Sequence, residues 1–150
     1  MSKIETIKVE CPECKEKQTT TLWHSLNTTL DPEDKELLFA GKINTFHCQK
    51  CSHEAFIPID FMYHDMRKLF CVQFYPPHKL EDDQFFNSFT SEGLPAWGEM
   101  IGNMAKQVPH LMRPHIVFDM GELIRYVMFR DGLAARQSDL SITPPEPAKT

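Results

Sequence analysis

An α+β fold is predicted for this chain from three observations. Two C-x-x-C pairs, Cys11/Cys14 and Cys48/Cys51, each lie between short stretches of strand-forming residues. The run Leu69–Tyr75 (LFCVQFY) is the strongest strand signal and is stopped by Pro76 and Pro77. Further along, apolar residues recur at helical spacing. Each cysteine pair sets two thiols about one tight turn apart, the reach needed to grip one ion from two sides. Two pairs make a tetrahedral all-thiolate set, the ligand count and softness that Zn2+ takes in structural sites. The expected architecture is a zinc ribbon of short antiparallel strands, extended into a small sheet, with two or three helices packed on it.

The elements follow in order. Ile4, Ile7 and Val9 sit in a charged, partly alternating run that reads as an edge strand entering the first pair. Within C-P-E-C, Pro12 pre-sets a turn that aims backbone N–H groups at the sulfurs. The Thr-rich stretch from Lys17 to Trp23 suits the returning strand. Asp31 as N-cap, Pro32 at the first helical position, and Gly41 as the stop predict a short inserted helix. Asn44–His47 and Ala55–Ile59 read as strands around the second pair. Trp97, Met100, Ile101, Met104 and Val108 fall at i, i+3, i+4, i+7 and i+11, predicting an amphipathic helix closed by Pro109. His115–Phe118 is a short strand. Asp119 with Glu122 then caps a helix running to about Arg130, with Gly132 as its stop. Residues 1–60 are thus expected to form the ribbon, with the helical insertion near 31–41. Residues 61–136 form an α/β layer packed on it, and the proline-rich 137–150 a disordered tail.

Composition narrows the partners. The chain of 150 residues carries a net charge of −5, and a tetrathiolate zinc site adds about −2 more. Broad capture of nucleic acid needs clustered cations. Lys3, Lys8, Lys15, Lys17, Lys42 and Lys50 form no continuous run, and acids interrupt the first four. The start, MSKIETIKVE, has no apolar core of a secretory signal, and no apolar stretch approaches a membrane span. C-x-x-C thiols with one odd cysteine suit the reducing cytoplasm, the expected compartment.

The combination of C-P-E-C, C-Q-K-C and the following H-E-A-F-I-P-I-D, with Tyr63-His64-Asp65, LFCVQFYPP and VFDMGELIRYVMFRDGL, resembles the CpXC-domain family of prokaryotic proteins. The resemblance covers roughly residues 10–135. It implies metal binding through the two cysteine pairs and no particular activity. Lys15 and Ser52 stand where glycine often follows the second cysteine, so both turns are expected to be less regular.

Other chemistries fit the pattern less well. A catalytic zinc keeps an open position, which four cysteines would fill. No H-E-x-x-H helix is present, and the deaminase H-x-E with P-C-x-x-C is absent. Redox C-x-x-C pairs open helices, whereas these lie between strands. His47 and His53 read as neighbours of the second pair, and Asp65 as the holder of a turn beside His64. Cys71 reads as a buried apolar residue. His24, His78, His110 and His115 carry no motif. The aromatics from Phe74 to Phe89 read as a loop folded onto the core, the alternative being a surface that captures a partner chain.

The functional expectation is a non-enzymatic binding or adaptor protein. It holds one structural Zn2+ per chain through Cys11, Cys14, Cys48 and Cys51, and it engages a protein partner or a second copy of itself. The alternatives are a nucleic-acid-associated zinc ribbon and a thiol-redox or metal-sensing protein.

Overall fold

One long strand serves both the cysteine-bearing hairpin and the central sheet. The computed structural model describes residues 2–96 and 106–142. Strands β1 (Lys3–Glu10) and β2 (Lys17–Asn27) form an antiparallel hairpin whose connection carries Cys11 and Cys14. The last residues of β2, Ser25 to Asn27, pair in parallel with Met62 to His64 of β5 (Phe61–Asp65). Strand β6 (Phe70–Phe74) runs antiparallel to β5, and β7 (His115–Val117) parallel to β6. The sheet order is therefore β1-β2-β5-β6-β7. A separate antiparallel hairpin, β3 (Thr45–His47) with β4 (Glu54–Phe56), carries Cys48 and Cys51 in its connection.

Strand alternation sorts the side chains of the sheet onto two faces. Phe61 and Tyr63 of β5 and Phe70, Val72 and Phe74 of β6 join Leu26, Leu38, Val117, Leu123 and Val127 in the main core. A smaller apolar cluster surrounds Cys11, Phe46 and Cys48, with Val9 and Ile57 packed against it. Phe46 is its one aromatic residue, so this end of the molecule has little apolar burial to hold it together.

The inserted helix begins as a 3-10 turn at Pro32–Asp34 and becomes helical only over α1 (Lys35–Phe39). Asp31 stands at the cap position but does not cap, because its carboxylate accepts the backbone N–H of Ser2 at 3.0 Å. Gly41 ends the element with φ 70, a left-handed conformation that costs glycine nothing. A short helix α2 (Asp83–Phe86) follows, capped by Asp82, which accepts the Gln84 N–H at 2.9 Å.

Helix α3 (Met120–Ile142) starts as predicted: the Asp119 carboxylate accepts the Glu122 N–H at 3.0 Å. It does not stop at Gly132. Asp131 is clamped by Lys35 at 2.5 Å and Lys68 at 2.9 Å, and helix continues through Gly132 to Ile142. A lone glycine costs a helix about 1 kcal/mol, too little to break one anchored at the residue before it. Residues 137–142, expected as tail, are therefore helical; 143–150 lie outside the described residues, as does most of the helix predicted from Trp97 to Met104. Among the described residues no helix is long and apolar enough to cross a membrane.

The aromatic stretch folds back on the molecule. Tyr75 and Phe85 meet edge to face at 4.9 Å, Phe85 and Phe89 at 5.0 Å, and Phe85 reaches Phe118 beyond β7 at 6.4 Å. Such pairs carry about 1 kcal/mol each beyond their burial.

Candidate metal centre

The two cysteine turns are built alike. In the first, Lys15 N–H donates to the Cys11 carbonyl at 2.9 Å and Cys11 N–H to the Glu16 carbonyl at 2.9 Å. In the second, Ser52 N–H donates to the Cys48 carbonyl at 2.9 Å and Cys48 N–H to the His53 carbonyl at 2.8 Å. Lys15 and Ser52 take φ 63 and 61, so the left-handed residue each turn requires is supplied without glycine. The expected irregularity is absent. Backbone hydrogen bonds at both ends of each turn impose the conformation.

These turns bring the four predicted thiols together. Cys11 Sγ lies 3.6 Å from Cys51 Sγ, and Cys14 Sγ 3.5 Å from Cys48 Sγ. All four sulfurs lie within 4.8 Å of one another. A tetrahedral ion with metal–sulfur bonds of about 2.3 Å sets its ligands about 3.8 Å apart. The donor set therefore fits a thiophilic ion with small adjustment, and an ion held by all four sulfurs would have no position left for water or substrate.

Two side chains dock one hairpin on the other. Gln18 of β2 donates from Nε2 to the His47 carbonyl at 2.8 Å, and its Oε1 accepts the Gln49 N–H at 3.1 Å. Asn44, buried before β3, bonds both backbone groups of Trp23 in β2. The sequence places Gln18 in the returning strand and Asn44 at the start of the next, and marks neither as a docking side chain. Each is a polar side chain reaching a partner more than twenty positions away, and no local pattern marks that.

The neighbouring sulfurs and backbone N–H groups shift the thiols in opposite directions. Backbone N–H groups of Cys51 and Lys50 stabilise the Cys48 thiolate against its burial and bring its pKa down to about 6. The N–H of His53 similarly favours the Cys51 thiolate, but burial and the surrounding sulfurs outweigh it and push Cys51 up to about 12. Cys14 is also raised: the N–H of Glu16 assists its thiolate, and burial with the neighbouring sulfurs opposes it. The same cluster thus favours the thiolate at Cys48 and the thiol at Cys14 and Cys51.

The remaining candidates lie elsewhere. His47 pairs with Glu54 at 2.9 Å at the exposed surface, and His53 serves the second turn through its backbone. His64 and Asp65 end β5 with side chains on opposite faces. Asp65 accepts the N–H groups of Arg67 and Lys68 at 3.0 and 2.9 Å, holding the turn as predicted. His64 instead meets His110, Nε2 to Nε2 at 2.6 Å, a contact across 46 residues that the sequence does not announce. Cys71 is buried on β6, with its thiol donating to the His110 carbonyl at 3.4 Å.

The family model described as CpXC protein matches residues 9–140. No curated protein and no solved structure matches the chain. From the first cysteine turn to the last helix, the chain belongs to the CpXC protein family.

Proposed function

We propose that Cys11, Cys14, Cys48 and Cys51 hold one Zn2+ per chain as a structural ion, in a non-enzymatic binding or adaptor protein of the cytoplasm. The observation that carries the first part is the gathering of four sulfurs by two matched turns from separate hairpins. All-sulfur tetrahedral donors favour zinc over harder divalent ions, and a filled shell suits structure better than catalysis. The sparse apolar cluster around Phe46 supports a metal as the cross-link that the ribbon needs.

The adaptor role is supported by surface. Met128 and Phe129 on α3 are each 57% exposed, and Phe86 is 52% exposed, so large apolar groups face outward on two elements. A protein partner, or a second copy of this chain, covers such groups better than a polyanion does. Lys35, Lys50, Lys68 and Lys79 are each already tied to a carboxylate, which weighs against nucleic acid.

Chelator titration followed by far-ultraviolet circular dichroism and analytical ultracentrifugation tests both parts. The expected result is loss of ribbon structure when zinc is withdrawn, recovery when it is returned, and association of the zinc-loaded chain with itself or with a defined protein. Cys48→Ser should lose metal and solubility together. A folded, metal-free Cys48→Ser would contradict the structural role.

A further inference from the structure

Arg130 of α3 is half-buried and held in place by three uncharged groups. Its Nη1 donates to the Tyr126 hydroxyl at 3.2 Å, its Nη2 to the Lys68 carbonyl at 3.5 Å, and its guanidinium lies 4.5 Å from the centre of the Phe70 ring. Tyr126 is fixed in turn by His115, stacked on it at 3.8 Å and 7°. Nothing in this arrangement neutralises the charge. The contrast lies one residue away. Half-buried Lys35 and Lys68 share Asp131, and Lys68 also reaches Asp65. Removing a cation from water without a counter-charge is costly, and proteins ordinarily supply one.

Arg130 also lines a cavity of about 420 Å³ with Arg113, His110, His115 and Tyr126, and among the described residues no acidic side chain contributes to its wall. Among the described residues Arg113 has no carboxylate partner either. In a chain of net charge −5, two guanidinium groups and two imidazoles converge on one hollow. A second cavity of about 630 Å³ shares Tyr126 and Arg130 and continues along Phe129 and Leu133. The first offers forked donors for an anion, and the second sets Phe129 and Leu133 beside it, with Arg67, Lys68 and Gln137 completing a wall that is half polar.

We propose that these joined cavities bind a small phosphomonoester, its phosphate between Arg113 and Arg130 and its apolar or aromatic body along Phe129 and Leu133. A phosphate carries close to two negative charges and three acceptor oxygens, which matches two arginine forks better than a single carboxylate does. The site is separate from the cysteine cluster and does not depend on which ion the cluster holds.

Isothermal titration of the zinc-loaded full chain with phenyl phosphate, inorganic phosphate and benzoate tests the assignment. Phenyl phosphate should bind saturably at one equivalent, more tightly than inorganic phosphate, with benzoate weakest. Arg113→Gln alters an exposed side chain with no ion-pair partner among the described residues and should weaken phenyl phosphate about tenfold. Arg125→Gln, whose side chain is engaged by Glu122, should leave it unchanged. Arg130→Gln should weaken binding by at least as much as Arg113→Gln, and if it fails to fold, Arg113→Gln decides. Absence of saturable binding, equal losses in Arg113→Gln and Arg125→Gln, or benzoate binding as tightly as phenyl phosphate would overturn the proposal.

Discussion

Asn44 and Trp23 are joined by two hydrogen bonds: the Asn44 amide oxygen accepts the Trp23 N–H at 2.7 Å, and its amide nitrogen donates to the Trp23 carbonyl at 2.9 Å. A side chain thus pairs with β2 as a neighbouring strand's backbone would, and it sets the second hairpin against the first. Asn44 also takes φ 55, a conformation that asparagine tolerates better than most residues. Asn44→Ala would strand two backbone groups of β2 and strain the backbone. It should cost about 3 kcal/mol in urea denaturation and weaken zinc retention against a chelator. An effect below about 0.5 kcal/mol would show that the hairpins are set by the metal alone.

Lys15 and Ser52 hold the left-handed positions of the two cysteine turns. Non-glycine residues pay about 1–2 kcal/mol there, partly offset by the lower backbone entropy they lose on folding. Lys15→Gly and Ser52→Gly should therefore be neutral or stabilising by up to about 1 kcal/mol. Lys15→Val and Ser52→Val, branched at Cβ, should be destabilising by more than that. Thermal melts of the four variants check the order, and a valine variant as stable as its glycine counterpart would contradict it.

The His64–His110 contact predicts acid sensitivity. Burial first, and then His110 beside it, lowers the pKa of His64; burial lowers that of His110. Asp65 opposes the shift at His64, and the adjacent Cys71 thiol is neutral in this range. Unfolded imidazoles take protons near pH 6.5, before the folded pair does. Stability from this pair is thus complete above about pH 6.5 and falls as pH drops through the lower folded values. Denaturation curves between about pH 7.5 and 5 should show this decline, and His110→Gln should flatten it. An unchanged slope in His110→Gln would remove the pair as its cause.

Cys71 is 2% exposed, and burial pushes its pKa up to about 11. Cys71→Ala should leave zinc per chain unchanged and cost about 1 kcal/mol through the space vacated. Loss of metal in this variant would mean that the fifth cysteine takes part in ligation.

The ribbon was legible because its signals are local. Two C-x-x-C pairs between strand-forming runs, Pro76 after LFCVQFY, and Asp119 with Glu122 each state a conformation within a few residues. Where the reading erred, a distant group had taken over a local signal. Ser2 occupies the Asp31 carboxylate that a cap would have used, and Lys35 and Lys68 anchor α3 at Asp131, just before the glycine that would have ended it. Strand β5 escaped because His64 and Asp65 at its end read as a turn. What was wholly invisible is long-range: Gln18 on His47, His64 on His110, and the convergence of Arg113 and Arg130 on one cavity.

Native mass spectrometry of the purified full chain tests the central claim most directly, because it counts metal, subunits and thiol hydrogens in one spectrum. The account predicts one zinc per chain, lost in Cys48→Ser and retained in Cys71→Ala. A metal-free chain, lightened by the hydrogens lost in disulfides between Cys11 and Cys51 or Cys14 and Cys48, would contradict it and make thiol redox chemistry the better reading of the cluster.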